Sequence, residues 1–368
     1  MTQTLSLTVI AGTRPNFMKV APIIHAARNV PEIGLRLVHT GQHYDDHMSA
    51  QYFRDLQIPE PDLHLEVGSA SHAVQTARVM TAFDKALDQY PTDVVLVVGD
   101  VNSTLGCALV AVKRSILVAH VEAGLRSRDR RMPEEINRIL TDQISDYLFT
   151  TERDAADNLR AEGIPAGKIH FVGNVMIDTL VKNRAIARER STVLSRLGLA
   201  SREYAACTLH RPSNVDTRAD AERTLEAVSQ LAKRLKVVVP LHPRSTGKLQ
   251  EFGLLDTFRT RATVIEPLGY LDFLSLLDNA RLVLTDSGGI QEETTVLGVP
   301  CLTFRENTER PITVTHGTNR VVGLDPGRVG AAVDEIMAER TFTPRIPELW
   351  DGHAAERIVD TLMNRRAT

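Results

Sequence analysis

Cysteine is scarce in this chain: Cys107, Cys207 and Cys301 are its only three. They lie far apart in apolar surroundings, which fits reduced thiols in a cytosolic protein better than a disulfide framework or a metal site. An excess of one charge is also missing, with 43 Lys and Arg against 46 Asp and Glu. No Lys/Arg block occurs, so neither a nucleic-acid nor a membrane partner is expected, and a small-molecule ligand is favoured. No stretch approaches the roughly 20 apolar residues of a membrane span. The opening Met1-Thr2-Gln3-Thr4-Leu5-Ser6 lacks a basic segment and runs at once into a strand pattern, so no signal peptide is expected. Short repeats and low-complexity tracts are absent, and no His/Asp/Glu spacing forms a metal-ligand set. The dinucleotide fingerprint GxGxxG is missing as well, which removes the main motif of a nicotinamide-binding fold.

What is present is a rhythm. At 368 residues the chain exceeds the usual growth of one core, and two domains of about 150 to 200 residues are expected. Short Val/Ile/Leu runs at 7–11, 35–40, 94–98, 117–121, 147–150 and 169–172 alternate with longer amphipathic segments, as βαβ units do. After an Arg- and Ala-rich helical connector over 177–197, further runs follow at 204–209, 237–241, 263–265, 282–285, 301–304 and 320–322. The pattern predicts an α/β protein with two doubly wound, Rossmann-like domains, 1–173 and 174–353. A terminal amphipathic helix beginning near Ala354, with Ile358, Val359, Leu362 and Met363 on one face, is expected to pack back on the first domain.

Three acids follow strand-like runs in the first half: Asp100 after 94–98, Glu122 after 117–121, and Glu134 in Met132-Pro133-Glu134-Glu135-Ile136-Asn137-Arg138. An open α/β sheet gathers ligands at the carboxyl ends of its strands, so these carboxylates are candidate chemistry. The first strand ends in Ala11-Gly12-Thr13-Arg14-Pro15-Asn16-Phe17-Met18-Lys19, where a helix start with Arg14 and Lys19 attracts an anion or is simply a solvated turn. In the second half, Thr285-Asp286-Ser287-Gly288-Gly289-Ile290-Gln291-Glu292-Glu293 leads from strand to helix. Gly288 and Gly289 let backbone approach a diphosphate, Ser287 either binds it or caps the helix, and Glu293 is placed to meet ribose hydroxyls. Phe273 stacks on a base or packs in the core. His210 and Arg211 close a strand, so His210 is either a site histidine or a core one.

Together these segments resemble the non-hydrolysing UDP-N-acetylglucosamine 2-epimerase family. The resemblance rests on GTRPNFMK at 12–19, TGQH at 40–43, VVGD at 97–100, HVEAGLR at 120–126, PEEINR at 133–138, VGN at 172–174, HR at 210–211, TDSGGIQEE at 285–293, ERP at 309–311 and GTNR at 317–320. It implies a GT-B arrangement, the two domains facing across a cleft, and a homodimer that binds a UDP-sugar and uses neither NAD nor metal. By the same resemblance Asp100, Glu122, Glu134 and His210 are catalytic, and Arg138 lies near the reacting sugar. Arg14, Ser287, Gly288, Gly289 and Glu293 bind the nucleotide, with Lys19 near the diphosphate. Gln42, His43, Arg211, Phe273 and Arg310 complete the substrate-binding candidates. The chain departs from the pattern at Pro212-Ser213-Asn214, where some members carry a basic and an acidic residue, and at Tyr44-Asp45, where members activated by a second UDP-GlcNAc tend to carry Gln.

The implied reaction eliminates UDP across C1 and C2 to give 2-acetamidoglucal and adds it back with the proton on the other face. Paired carboxylates suit such an oxocarbenium-like path, and crowding pushes their pKa values apart. A related UDP-diacetamido-uronic acid substrate, hydrolysis to free N-acetylmannosamine, a GT-B glycosyltransferase and a non-catalytic nucleotide-sugar sensor are the competing readings.

Overall fold

The structure, a computed structural model, describes residues 4–41, 53–209, 212–338 and 345–364. The chain divides into two compact units, one of residues 1–182 and 348–368 and one of residues 183–347. In the first unit, seven parallel strands form one sheet: β1 (Leu5–Ala11), β2 (Ile33–His39), β3 (Leu63–His64), β4 (Val94–Val98), β5 (Leu117–Val121), β6 (Tyr147–Thr150) and β7 (Ile169–Phe171), in the order β3-β2-β1-β4-β5-β6-β7. In the second, β8 (Tyr204–Thr208), β9 (Lys236–Pro240), β10 (Thr263–Ile265), β11 (Leu282–Thr285), β12 (Cys301–Thr303) and β13 (Asn319–Val321) form a six-stranded parallel sheet, β10-β9-β8-β11-β12-β13. Both sheets are doubly wound, as the strand rhythm predicts.

A strand covered on both faces reads as an unbroken apolar run, and β4 (VVLVV) and β11 are buried along their whole length. Each such Val, Leu or Ile contributes about 1.5–3 kcal/mol on burial. The order of strands reverses between β1 and β4 in the first sheet and between β8 and β11 in the second. Loops beyond the carboxyl ends of these pairs diverge there and leave a crevice. In the first unit that crevice lies beside Gly12 and Asp100, and in the second beside the segment that opens with Ser287.

The division falls at Lys182/Asn183 rather than at the expected 173/174, inside helix Val175–Arg190. Side-chain bonds explain the shift. Early in the helix, the Thr179 hydroxyl donates to Met18 O at 2.5 Å, while Asp178 accepts from Ala354 N and Ala355 N at 3.1 and 2.7 Å. Later, Arg184 and Arg188 both pair with Asp278 at 2.8 Å, within the second unit.

The return to the first unit begins at Glu348, earlier than the expected 354. Buried Trp350 donates from Nε1 to Thr151 O at 3.0 Å, and Arg153 holds Glu348 at 2.7 Å through both guanidinium ends. Helix Ala354–Asn364 then buries Ala354, Ala355, Ile358, Val359 and Leu362. It packs on helix Arg14–Arg28.

Candidate active site

In the first unit, the segments after β1, β4 and β5 carry the candidate groups. Helix Arg14–Arg28 opens directly after β1, with Thr13 as cap and Pro15 in its first turn. The Asn16 side-chain oxygen accepts from Gly12 N and Thr13 N at 3.1 and 2.9 Å, which fixes the entry turn. Arg14 is the first residue of this helix, and its side chain lies outside the described atoms. Lys19 faces the acids: its Nζ is 2.5 Å from Glu122 Oε2, with both side chains buried. The expectation of Lys19 at the diphosphate did not anticipate this carboxylate partner.

Glu122 itself follows β5 with φ of 68°, the left-handed region that an L residue enters only at a cost. Such strain persists where surrounding structure imposes it, and it aims this carboxylate toward Lys19 beneath the β4 and β5 loops. Asp100 is partly open, its side chain 24% exposed, and Arg138 Nη2 holds its Oδ2 at 2.5 Å. The other guanidinium nitrogen of Arg138 donates to Glu135 Oε2 at 2.8 Å. Glu135 also accepts from Ser127 N and Arg128 N, each at 2.9 Å. Burial works to raise its pKa, but these N–H groups and the Arg138 guanidinium outweigh it and hold the carboxyl below its ordinary range.

Glu134 lies half-buried in the first turn of helix Pro133–Ile144, one turn before Arg138 on the same face. Asp100 is thus paired with Arg138 and Glu122 with Lys19, and Glu134 stands on the helix that supplies Arg138. Glu135, whose two oxygens organise the loop before this helix, was not singled out from sequence. Its only mark there is its place beside Glu134 in PEEINR.

In the second unit, Ser287 is the residue before helix Gly288–Leu297, and its hydroxyl makes no capping bond. That leaves the capping alternative unused and the hydroxyl available beside the helix's first N–H groups. A Cβ at Gly288 would sit 2.6 Å from Arg310 Nη1 and 2.8 Å from Glu309 Oε1, so those side chains would have to shift. Gly289 is the second helical residue and is half-buried. Arg310, expected at the substrate, is buried beneath this terminus, donating to Glu292 Oε1 at 2.6 Å and Glu309 Oε1 at 2.9 Å.

Glu293 is 2% exposed, and burial pushes its pKa up to about 8. Tyr270 Oη, donating at 3.4 Å, opposes that shift, and neighbouring Glu292 adds to it. The carboxyl is thus protonated at neutral pH and able both to donate and to accept, which suits a vicinal diol. Phe273 is half-buried in the first turn of helix Tyr270–Asp278. Gln42, His43, His210 and Arg211 lie outside the described residues. Asn214, shortly after them, is fully buried and donates to Asp286 Oδ2 at 2.8 Å, tying its segment to the residue before Ser287. Among the described residues no three His, Cys, Asp or Glu side chains converge as a metal-ligand set, and no helix is long and apolar enough to cross a membrane.

The first unit thus offers carboxylates held by cations, a set able to move protons and to stabilise developing positive charge. The second offers an anion-receptive helix terminus above a neutral acid. Residues 25–363 match the family model described as UDP-N-acetylglucosamine 2-epimerase. A UDP-N-acetylglucosamine 2-epimerase of Methanocaldococcus jannaschii is 42% identical over 364 residues, 97% of this chain and 99% of that one. A crystal structure of the M. jannaschii UDP-GlcNAc 2-epimerase, in complex with UDP-GlcNAc and UDP, superposes with a TM-score of 0.90 at 41% identity, over 98% of this chain and 100% of that one. A UDP-2,3-diacetamido-2,3-dideoxy-D-glucuronate 2-epimerase of Pseudomonas aeruginosa is 42% identical over 323 residues, 87% of this chain and 88% of that one.

Proposed function

The chain belongs to the UDP-N-acetylglucosamine 2-epimerase family, and on that premise we propose that it inverts C2 of UDP-N-acetylglucosamine, reversibly and without hydrolysis. The observation that carries this reading is the pairing of two acids with two cations at the crevice of the first sheet, Asp100 with Arg138 and Glu122 with Lys19, each at 2.5 Å. The C2 hydrogen of the sugar is not adjacent to a carbonyl, so it cannot be removed from the resting substrate at a useful rate. It becomes acidic as the C1–O bond stretches. Elimination then breaks C1–O and C2–H, forms the C1–C2 double bond of 2-acetamidoglucal and sends the electron pair out with UDP. Addition from the opposite protonation face gives the N-acetylmannosamine epimer.

Asp100, Glu122 and Glu134 supply the base, the opposing acid and the negative field that steadies the oxocarbenium-like state, and His210 completes the set. Charge that builds on the departing diphosphate falls to the Ser287-Gly288-Gly289 terminus, with Arg14 and His210 as further partners. Neutral Glu293 takes the ribose hydroxyls. No step needs NAD or a metal, and the protein is read as a cytoplasmic homodimer supplying cell-surface polysaccharide synthesis.

Proton NMR of UDP-N-acetylglucosamine with the protein in heavy water tests this directly. UDP-N-acetylmannosamine with deuterium at C2 is the expected product. Free N-acetylmannosamine and UDP would make it a hydrolysing enzyme, and an unchanged spectrum, with turnover of the diacetamido-uronic acid nucleotide instead, would overturn the substrate assignment.

A further inference from the structure

Behind the paired acids lies a second polar pair with no exposure at all. His120, on β5, places Nδ1 2.7 Å from Asp142 Oδ1 and Nε2 2.8 Å from Gly99 O, and both side chains are 0% exposed. Asp142 Oδ2 accepts from Gly124 N at 3.1 Å and lies 2.7 Å from Arg126 Nη2, which also binds Glu162 at 2.6 Å. Burying such a pair is costly, and apolar side chains of similar volume would fill the space at least as well. Its bonds, however, end on the three segments that carry the acids. Gly99 immediately precedes Asp100, and Gly124 follows the strained turn at Glu122. Asp142 is on the helix of Glu134 and Arg138.

We propose that His120 and Asp142 are positioning residues for the epimerisation, which set the Gly99 carbonyl and thereby the placement of Asp100 relative to Glu122 and to the helix of Glu134. The argument rests on the reading of the site as an epimerase. Asp142 is the common anchor: one oxygen holds the histidine and the other holds the turn after Glu122. His120 carries that constraint across to β4. Neither side chain opens to solvent, so neither touches substrate, and both act through the acids. A base and an acid on opposite faces of one ring carbon must be placed to within a fraction of an ångström, and a rigid strut between their loops supplies that.

Two substitutions of the same histidine separate the roles of its nitrogens. The Asn side chain reaches the position of Nδ1 and the Gln side chain that of Nε2, so His120→Asn keeps the link to Asp142 and gives up Gly99, whereas His120→Gln keeps Gly99. The expected result for His120→Asn is a kcat about 10- to 100-fold lower with KM within about twofold of the parent, and His120→Gln recovers several-fold of that loss. Product partition supplies a readout that a loss of folded protein does not move: the share of turnovers ending in released 2-acetamidoglucal and UDP rises in His120→Asn and in Asp142→Asn. Equal kcat in the two His120 variants, or parental partition in His120→Asn, overturns the inference while leaving the epimerase reading intact. A parent protein that forms no epimer would instead sink that reading, and this inference with it.

Discussion

Glu292 and Glu293 are chemically identical neighbours that the fold treats in opposite ways. Glu292 points into the guanidinium of Arg310, 2.6 Å away, whereas Glu293, among the described residues, has Tyr270 Oη at 3.4 Å to set against its burial. Sequence places both at a helix start after Ser-Gly-Gly, but it does not tell which of two adjacent carboxylates meets a cation 17 or 18 residues further on. The asymmetry has a consequence for pH. Folding raises the pKa of Glu293 from 4.5 to about 8, so between these values the folded protein keeps a proton that the unfolded chain has lost. The stability due to neutral Glu293 is therefore fully present below pH 4.5 and is lost as pH rises through about 8. Chemical denaturation across that window should show stability falling with pH. Glu293→Gln, which mimics the neutral acid, should flatten the fall, and a variant that keeps the parental slope would show that another group governs it.

A single helix, Pro133–Ile144, carries much of the candidate site, and its two adjacent acids are held differently. Successive positions are about 100° apart, so Arg138 lies one turn from both acids, and it is the buried Glu135 whose carboxylate it holds. The string PEEINR marked the segment as chemistry, but its helical form was not read from the sequence. The ion pairs were not legible, because Lys19 and Glu122 are 103 positions apart, and Asp100 and Arg138 are 38 apart. Pairing at such range is decided by strand order rather than by local pattern. Adjacent Glu134 and Glu135 should respond differently to the same change. Glu134→Gln is expected to lower kcat about 100-fold with an unchanged unfolding midpoint, because the side chain is half-buried and free of the loop network. Glu135→Gln should cost about 1–3 kcal/mol in unfolding free energy, because it weakens the bonds to Ser127 N, Arg128 N and Arg138. Equal effects on stability would refute this division of labour.

Among the described residues, twelve strands fall on the apolar runs read from sequence, most plainly where both faces are buried, as in β4, β8 and β11. The thirteenth, β3, has two residues, Leu63 and His64, and sits at a sheet edge, where no run of that kind is needed. The terminal helix was legible from its stripe of apolar residues, but the segment before it was not. Residues 348–353 dock through backbone and single side chains, which leave no period in the sequence. Gly173 shows how tight that docking is: its φ is 89°, and a Cβ would stand 2.0 Å from Leu349 O. Two backbones touch there, so neither side can yield by a rotamer change. Gly173→Ala should therefore lose the ~1–2 kcal/mol of a left-handed alanine and the clash on top of it. The loss should fall on the returning segment, which Trp350, Asp178 and the stripe of helix Ala354–Asn364 hold to the first unit. Amide hydrogen exchange in the Gly173→Ala protein should rise in residues 349–362 and in helix Arg14–Arg28 beneath them, while β8 and β11 of the second unit keep their parental protection. Uniform acceleration through both units would mean that this junction governs global unfolding rather than the docking of one segment.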